Sequence, residues 1–353
     1  MTIIDYIQNY QNISFKKSEF NEVDAGIFSL LSYFPFDEMN YKKSFSSKDV
    51  LAYLEKSEMV KTSKHRYLNL SLMSVVCRSN RYKGIKFKDF KKRNDTSTVE
   101  QFQAITIEFK DFIYVSFSGT DATTLGWRED LNMSYLEMVP SEIDAINYLF
   151  NERKKHPFKK MYVGGHSKGG RLAIRASKEL MKKNTLQAIF SFDGPNFTSD
   201  YYDEEYDKIA PLIYEYAPEG SIIGRLISER KKIIIASEAK SIYQHSLYTW
   251  VVEDNSFVHV EKYSDSSNKI SKICNEIFYK YDNETKSIFV NTLFDIVDKL
   301  NITELKDDEY NKKLLMESLA SIRIEWKNTP KEHRKTILKV LFSIILLAFK
   351  RDK

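Results

Sequence analysis

Apolar and polar positions along the chain follow two different periods, and the change between them divides the sequence. Near the start, Val23, Ile27, Leu30 and Leu31 recur at helical spacing and predict a helix with one apolar side. The basic stretch KGIKFKDFKKR, residues 83–93, reads as a solvated loop or a sheet edge. Two strand-like runs follow, QAITIEF at 103–109 and FIYVSFS at 112–118, joined by Lys110-Asp111. Their β-branched and aromatic content and their closeness predict a hairpin.

Helical spacing returns at Ile143, Ile146, Leu149 and Phe150, after Pro140-Ser141. Ser141 is the expected N-cap, with Asp144 near the helix start. MYVGG then predicts a short strand, RLAIRASKELMKK a helix with Leu172, Ala173, Ala176 and Leu180 on one side, and QAIFSFD a buried strand. Alternation of strand and helix from 103 to 193 argues for a mostly parallel α/β sheet. Beyond about residue 264 strand signals stop and helical segments take over. The clearest begins at Thr329-Pro330-Lys331-Glu332, with threonine as cap, proline at the first helical position and glutamate closing the box. The expected organisation is an α/β body over 1–262 and a helical C-terminal module over 263–353.

Composition narrows the class. With 42% hydrophobic and 14% aromatic residues in 353, the chain can bury a large core and is globular. Its net charge of +5, from 54 basic and 49 acidic residues, is too thin an excess for a nucleic-acid binder. Cys77 and Cys274 stand far apart, in no metal-like spacing, so neither a disulfide framework nor a metal site is expected. The first residues, MTIIDYIQNYQN, lack a basic region followed by an apolar one, and the expected compartment is the cytoplasm. The apolar run from Val340 to Phe349 is shorter than the roughly 20 residues that span a bilayer. It fits a core helix, or an interfacial one flanked by Lys339, Lys350 and Arg351 that would give peripheral membrane contact.

The chemistry centres on GHSKG, Gly165 to Gly169, which fits the G-x-S-x-G nucleophile elbow. A serine at the tip of a sharp strand-to-helix turn needs neighbours without Cβ atoms, and Gly165 and Gly169 meet that need. The strand pattern before Ser167 and the helix pattern after it supply the context the motif requires. The helix would also aim its N-terminal N–H groups at a developing oxyanion.

A serine nucleophile needs a base, and the base an orienting acid. Three histidines follow Ser167. His333 lies in a charged Lys-Glu-His-Arg run and reads as solvated, and His259 alternates with apolar neighbours as an ordinary strand position. His245, in the loop-like IYQHSLYTW, is the expected base; His166, beside the serine, is read as structural. For the acid, Asp193 ends a buried strand, where α/β active sites gather, and is preferred; Glu219 in APEGSIIG is the alternative. The oxyanion donors are expected to be the N–H of Lys168 and Thr120, the latter in the FSGTD loop and offering an N–H and a hydroxyl.

Taken in order, FSGTDATTLGWREDLNM and GHSKGG resemble the class 3 (fungal-type) triacylglycerol lipases. A closer resemblance is to a bacterial family of lipase-like α/β-hydrolases of long-unassigned function. It is carried by FNEVDAGIFSLLSYF, GTD…GWREDLNM, GHSKGG, FDGPNF, PEGSIIGRLI and QHSLYTW, and it runs from about residue 3 to 262. The resemblance implies an α/β-hydrolase core and carboxylic-ester hydrolysis, with Ser167 as nucleophile, Thr120 at the oxyanion position and His245 as base. Two departures stand out. Ser118 occupies the place where the lipases have arginine before the glycine. The Asp-Ile-Val-Pro segment that carries their acid reads here Ser221-Ile222-Ile223-Gly224. The expectation is therefore a serine esterase using Ser167, His245 and Asp193 on an acyl-ester or lipid substrate, without metal or organic cofactor. The competing expectation is a non-catalytic interaction protein on the same fold, acting through its C-terminal helices.

Overall fold

The strand-like runs pair into one eight-stranded sheet whose spatial order follows the chain: β1 (Ser44–Ser46), β2 (Lys86–Asp95), β3 (Glu100–Glu108), β4 (Phe112–Phe117), β5 (Lys160–His166), β6 (Ala188–Phe192), β7 (Ile213–Pro218) and β8 (Ile233–Ile235). This is a computed structural model describing residues 1–39, 43–56, 64–181, 186–304 and 321–349. The β3–β4 hairpin is antiparallel, and β4 through β8 are parallel neighbours. A small antiparallel pair, β9 (Val252–Glu253) and β10 (Ser256–Phe257), follows. KGIKFKDFKKR is thus largely strand β2 rather than a loop, and the sheet edge beyond it is taken by β1.

Parallel strands added in chain order, each by a right-handed crossover, place their connecting helices on a single face of the sheet. That face packs α6 (Pro140–Lys155), α7 (Lys168–Met181) and α8 (Glu204–Ile209) against Ile113, Val115, Phe117, Val163 and Ile189. The other face must be covered by something else. It is covered by the N-terminal helices α1 (Ile3–Tyr10), α2 (Glu22–Leu31), α3 (Ser47–Lys56) and α4 (Lys64–Arg78), on Tyr114, Phe190, Phe192 and Tyr216. The two sets alternate along β4 and β6, as the two-residue period of a strand dictates. At the N-terminal face Asp24 is wholly buried, ion-paired to Arg81 at 2.5 Å and bonded to Tyr82 at 2.9 Å. This is the physical content of the aspartate in FNEVDAGIF. The mostly parallel sheet, helices on both faces and strand-elbow-helix at β5–α7 make an α/β-hydrolase core with a helical C-terminal part.

The chain forms two compact units, one of residues 1–93, 102–119 and 142–268, the other of 94–101, 120–141 and 269–353. The second unit holds α5 (Thr124–Asn132), α10 (Asn283–Lys299), most of α9 (Asp265–Lys280) and the last helix (Lys331–Phe349). Within it, Arg128 on α5 reaches Asp295 and Asp298 on α10, and the Thr124 N–H donates to Thr303.

Three local expectations are corrected. Pro140 already opens α6, so Ser141 sits inside it, and its N–H is capped by the Glu129 carboxylate at 2.9 Å. Glu129 also takes the Gln101 N–H at 3.1 Å, so the cap comes from another element. The last helix starts at Lys331, which leaves Pro330 outside it. Thr329 turns its hydroxyl back to the Glu325 carbonyl at 2.9 Å rather than forward as a cap. The apolar run belongs to this helix, in which Ile337 and Val340 are buried. Among the described residues no helix is long and apolar enough to cross a membrane; Lys350 and Arg351 lie outside them.

Candidate active site

Strand β5 ends at His166, α7 begins at Lys168, and Ser167 alone makes the turn between them. Its φ of 58° is the left-handed region, which a non-glycine residue enters only when its surroundings hold it there. They do so here. The Ser167 N–H donates to the Phe192 carbonyl at 2.9 Å, and its own carbonyl accepts from the Gly170 N–H at 2.9 Å. A Cβ on Gly165 would strike the Gly169 backbone, and one on Gly169 the Phe117 carbonyl. Strand, elbow and helix therefore pack backbone to backbone, the close approach that both glycines serve.

One strand further along the sheet, Asp193 follows β6, also in the left-handed region at φ 52°, and is completely buried. Its Oδ2 accepts from His245 Nδ1 at 2.6 Å. Its Oδ1 accepts from the Ser221 hydroxyl at 2.5 Å and the Gly224 N–H at 3.1 Å. Burial acting alone would raise this carboxyl. The hydrogen bond and charge of His245, the Ser221 hydroxyl and the Lys232 ammonium outweigh it and hold the carboxyl below its ordinary value. The structure thus brings Asp193 to His245, while Glu219 follows β7 with its backbone bonded to Ile235 and Ser264. Ser221 and Gly224, in the segment without a carboxylate, turn out to support the carboxylate supplied by β6.

His245 ends a short 3-10 turn, Ser241–His245, and is partly exposed. Its ring lies 4.5 Å from the ring of His166, and its carbonyl is 2.7 Å from His166 Nε2. His166 is buried, and burial followed by the neighbouring His245 pushes its ring down to about 3. It stays neutral, in keeping with a structural part. His259 is half-exposed, 3.4 Å from Glu22. His333 is half-buried rather than solvated, 3.3 Å from the Thr292 hydroxyl, because the last helix packs on α10.

Lys168 is the first residue of α7, where N–H groups have no partner within the helix, and its side chain is buried. Gly119, at the end of β4, backs onto the elbow so closely that a Cβ there would lie 3.0 Å from Ser167 Cβ. Thr120 commits its hydroxyl to Asp130 Oδ2 at 2.5 Å, so of the two groups expected from it the N–H is the one not so engaged. Ser118 is buried, with its N–H donated to Gln103. Cys77 and Cys274 are free thiols, and burial raises Cys77 to about 12. Among the described residues Asp89, Glu152 and His156 have the composition of a metal cluster, but the Lys155 ammonium bridges Asp89 and Glu152 at 2.6 and 2.8 Å.

The sequence reading missed Tyr33. Its hydroxyl accepts the Gly119 N–H at 3.0 Å and lies 3.0 Å from His166 Nδ1. Its position in FSLLSYF just after α2 was visible, but nothing in the spacing links it to residues more than eighty positions away.

The fold is that of the lipase-like α/β-hydrolases. The model of the Mbeg1-like family matches residues 76–295, and the chain belongs to that family. No curated protein sequence matches it. Among solved structures it is similar to a mutant form of MDLA from Penicillium cyclopium, at 12% identity over 69% of this chain and 86% of that one, TM-score 0.40. It is similar to a fungal lipase in complex with an inhibitor, at 13% over 76% and 89%, TM-score 0.38. The Rhizomucor miehei lipase in complex with its propeptide gives 16% over 55% and 66%, TM-score 0.37. At such identities and TM-scores these likenesses carry no weight for site or activity.

Proposed function

We propose that the protein is a serine hydrolase that cleaves carboxylic esters of acyl or lipid type through an acyl-enzyme. The observation that carries this reading is the 2.6 Å bond from His245 Nδ1 to Asp193, beside an elbow that holds Ser167 in the left-handed region. With Nδ1–H fixed on the buried carboxylate, Nε2 of His245 is the nitrogen left as base. In the first step it takes the Ser167 proton as Oγ adds to the ester carbonyl; it then returns that proton to the leaving alkoxide. In the second step it takes a proton from water, which attacks the acyl-enzyme, and the acid leaves with Ser167 reprotonated.

The N–H groups of Lys168 and Thr120 receive the oxyanion in this scheme. Lys168 opens α7, and Thr120 follows Gly119, whose backbone abuts Ser167. Each such donor is worth about 2.7–4 kcal/mol in an enzyme where one was removed. The test is turnover of a panel of p-nitrophenyl and glycerol esters by the wild type, Ser167→Ala and His245→Ala. The expected result is activity in the wild type and a loss of about 10⁴-fold or more in kcat for each variant. Equal rates in wild type and Ser167→Ala would overturn the proposal.

A further inference from the structure

A carbonyl oxygen only accepts, so the 2.7 Å contact between His166 Nε2 and the His245 carbonyl requires the proton on Nε2. That fixes the tautomer of a ring that burial keeps neutral. His166 Nδ1 is then an acceptor, and the Tyr33 hydroxyl at 3.0 Å is its donor. The same hydroxyl has a second, longer acceptor in the His166 carbonyl at 3.5 Å, and its oxygen accepts the Gly119 N–H at 3.0 Å. Every proton in this chain has one direction: Gly119 N–H to Tyr33, Tyr33 O–H to His166, His166 Nε2–H to the backbone of His245.

The two ends of the chain are what matter. One is the glycine that abuts Ser167 at the end of β4, next to the proposed oxyanion loop. The other is the main chain of the proposed base, whose side chain is separately tied to Asp193. His245 sits at the end of a short 3-10 turn, with its side chain a quarter exposed. A side chain on such a turn is aimed only as well as its backbone is held. Its ring is fixed at Nδ1 and its backbone at the carbonyl, so two points define where Nε2 stands.

We propose that Tyr33 and His166 are positioning residues: a directed hydrogen-bond relay that sets the backbone of His245 and the Gly119 strand end in one register around Ser167. The inference rests on the hydrolase reading above. It assigns the histidine of GHSKG a task that packing alone would not need, and it makes the polarity of that ring, rather than its volume, the required property.

Two substitutions at His166 separate these properties. His166→Phe keeps an aromatic ring and deletes both bonds; His166→Gln loses the ring but returns an N–H at about the reach of Nε2. The expected result is a fall in kcat of about 10–100-fold for His166→Phe with KM unchanged, most of it recovered by His166→Gln. Tyr33→Phe, which removes only a hydroxyl, is expected to cost about tenfold in kcat, again at constant KM. Wild-type kcat in His166→Phe, or a Gln variant worse than the Phe variant, would overturn the relay.

A second readout needs no turnover. The proton shared by His245 Nδ1 and Asp193 should give a downfield NMR resonance. It is expected to be sharp in the wild type and His166→Gln, and broadened by exchange in His166→Phe. An unbroadened resonance in folded His166→Phe contradicts the relay, whatever the substrate proves to be. If the wild type cleaves no ester, the hydrolase reading fails while this resonance still decides the relay.

Discussion

Asp193 shows how much one residue's role depends on partners far away in sequence. Its carboxylate is buried yet charged, because Ser221, Gly224 and His245 occupy its oxygens and Lys232 stands near. Asp193→Asn keeps the shape but offers His245 an N–H where an acceptor is required, so the imidazole is held in the wrong tautomer. We expect kcat to fall by about 10³–10⁴-fold with little change in substrate binding, checked by steady-state kinetics. The same group makes a stability prediction. Its folded pKa is lowered, so its contribution is complete above the ordinary carboxylate range near pH 4 and is lost as pH falls through the lower folded value. Urea melts should therefore show the gap between wild type and Asp193→Asn narrowing in acid below about pH 4. A gap that stays constant down to about pH 2 would contradict the assignment. At this scale Ser167, His245 and Asp193 could be nominated from the sequence because each sits where local pattern places it, at an elbow, a loop and a strand end, and the structure brings Asp193 to His245. Ser221, Gly224 and Tyr33 were not, since a hydrogen-bond partner leaves no period in the sequence.

Elements were readable where their own residues decide them. The β3–β4 hairpin and the helix after the elbow follow from β-branched runs and helical spacing. Helix α7 exceeded its reading: almost every residue from Lys168 to Leu180 is buried, including Arg171, which pairs with the buried Glu142 on α6 and stacks on Phe197. The caps of α6 and the last helix were misread because Glu129 caps the one from a distance and Thr329 bonds backward at the other. The junction of β5 and α7 is closely packed, backbone against backbone. Gly169→Ala would push a methyl into the Phe117 carbonyl, and backbone cannot move aside as a side chain can. A loss of about 1–3 kcal/mol or more in urea unfolding is expected. A Gly169→Ala protein as stable as wild type would mean that the strand and helix do not meet as closely as described.

At the scale of the whole molecule, the sheet order decides the architecture. Strands joined in chain order leave one face without crossover helices, and helices α1 to α4 cover it, with the Asp24–Arg81 pair buried there. The expected body and tail were read from texture alone. Texture carries no record that residues 94–101 and 120–141 cluster with the C-terminal helices through contacts such as Arg128 with Asp295 and Asp298. The central claim remains that one serine on this scaffold is a nucleophile. It is tested most directly by treating the full chain with a fluorophosphonate and locating the adduct by peptide mass spectrometry. The account predicts a single phosphonylated site at Ser167, absent from Ser167→Ala and slowed in His245→Ala. Folded wild-type protein that stays unmodified at Ser167, or is modified equally in Ser167→Ala, would contradict it.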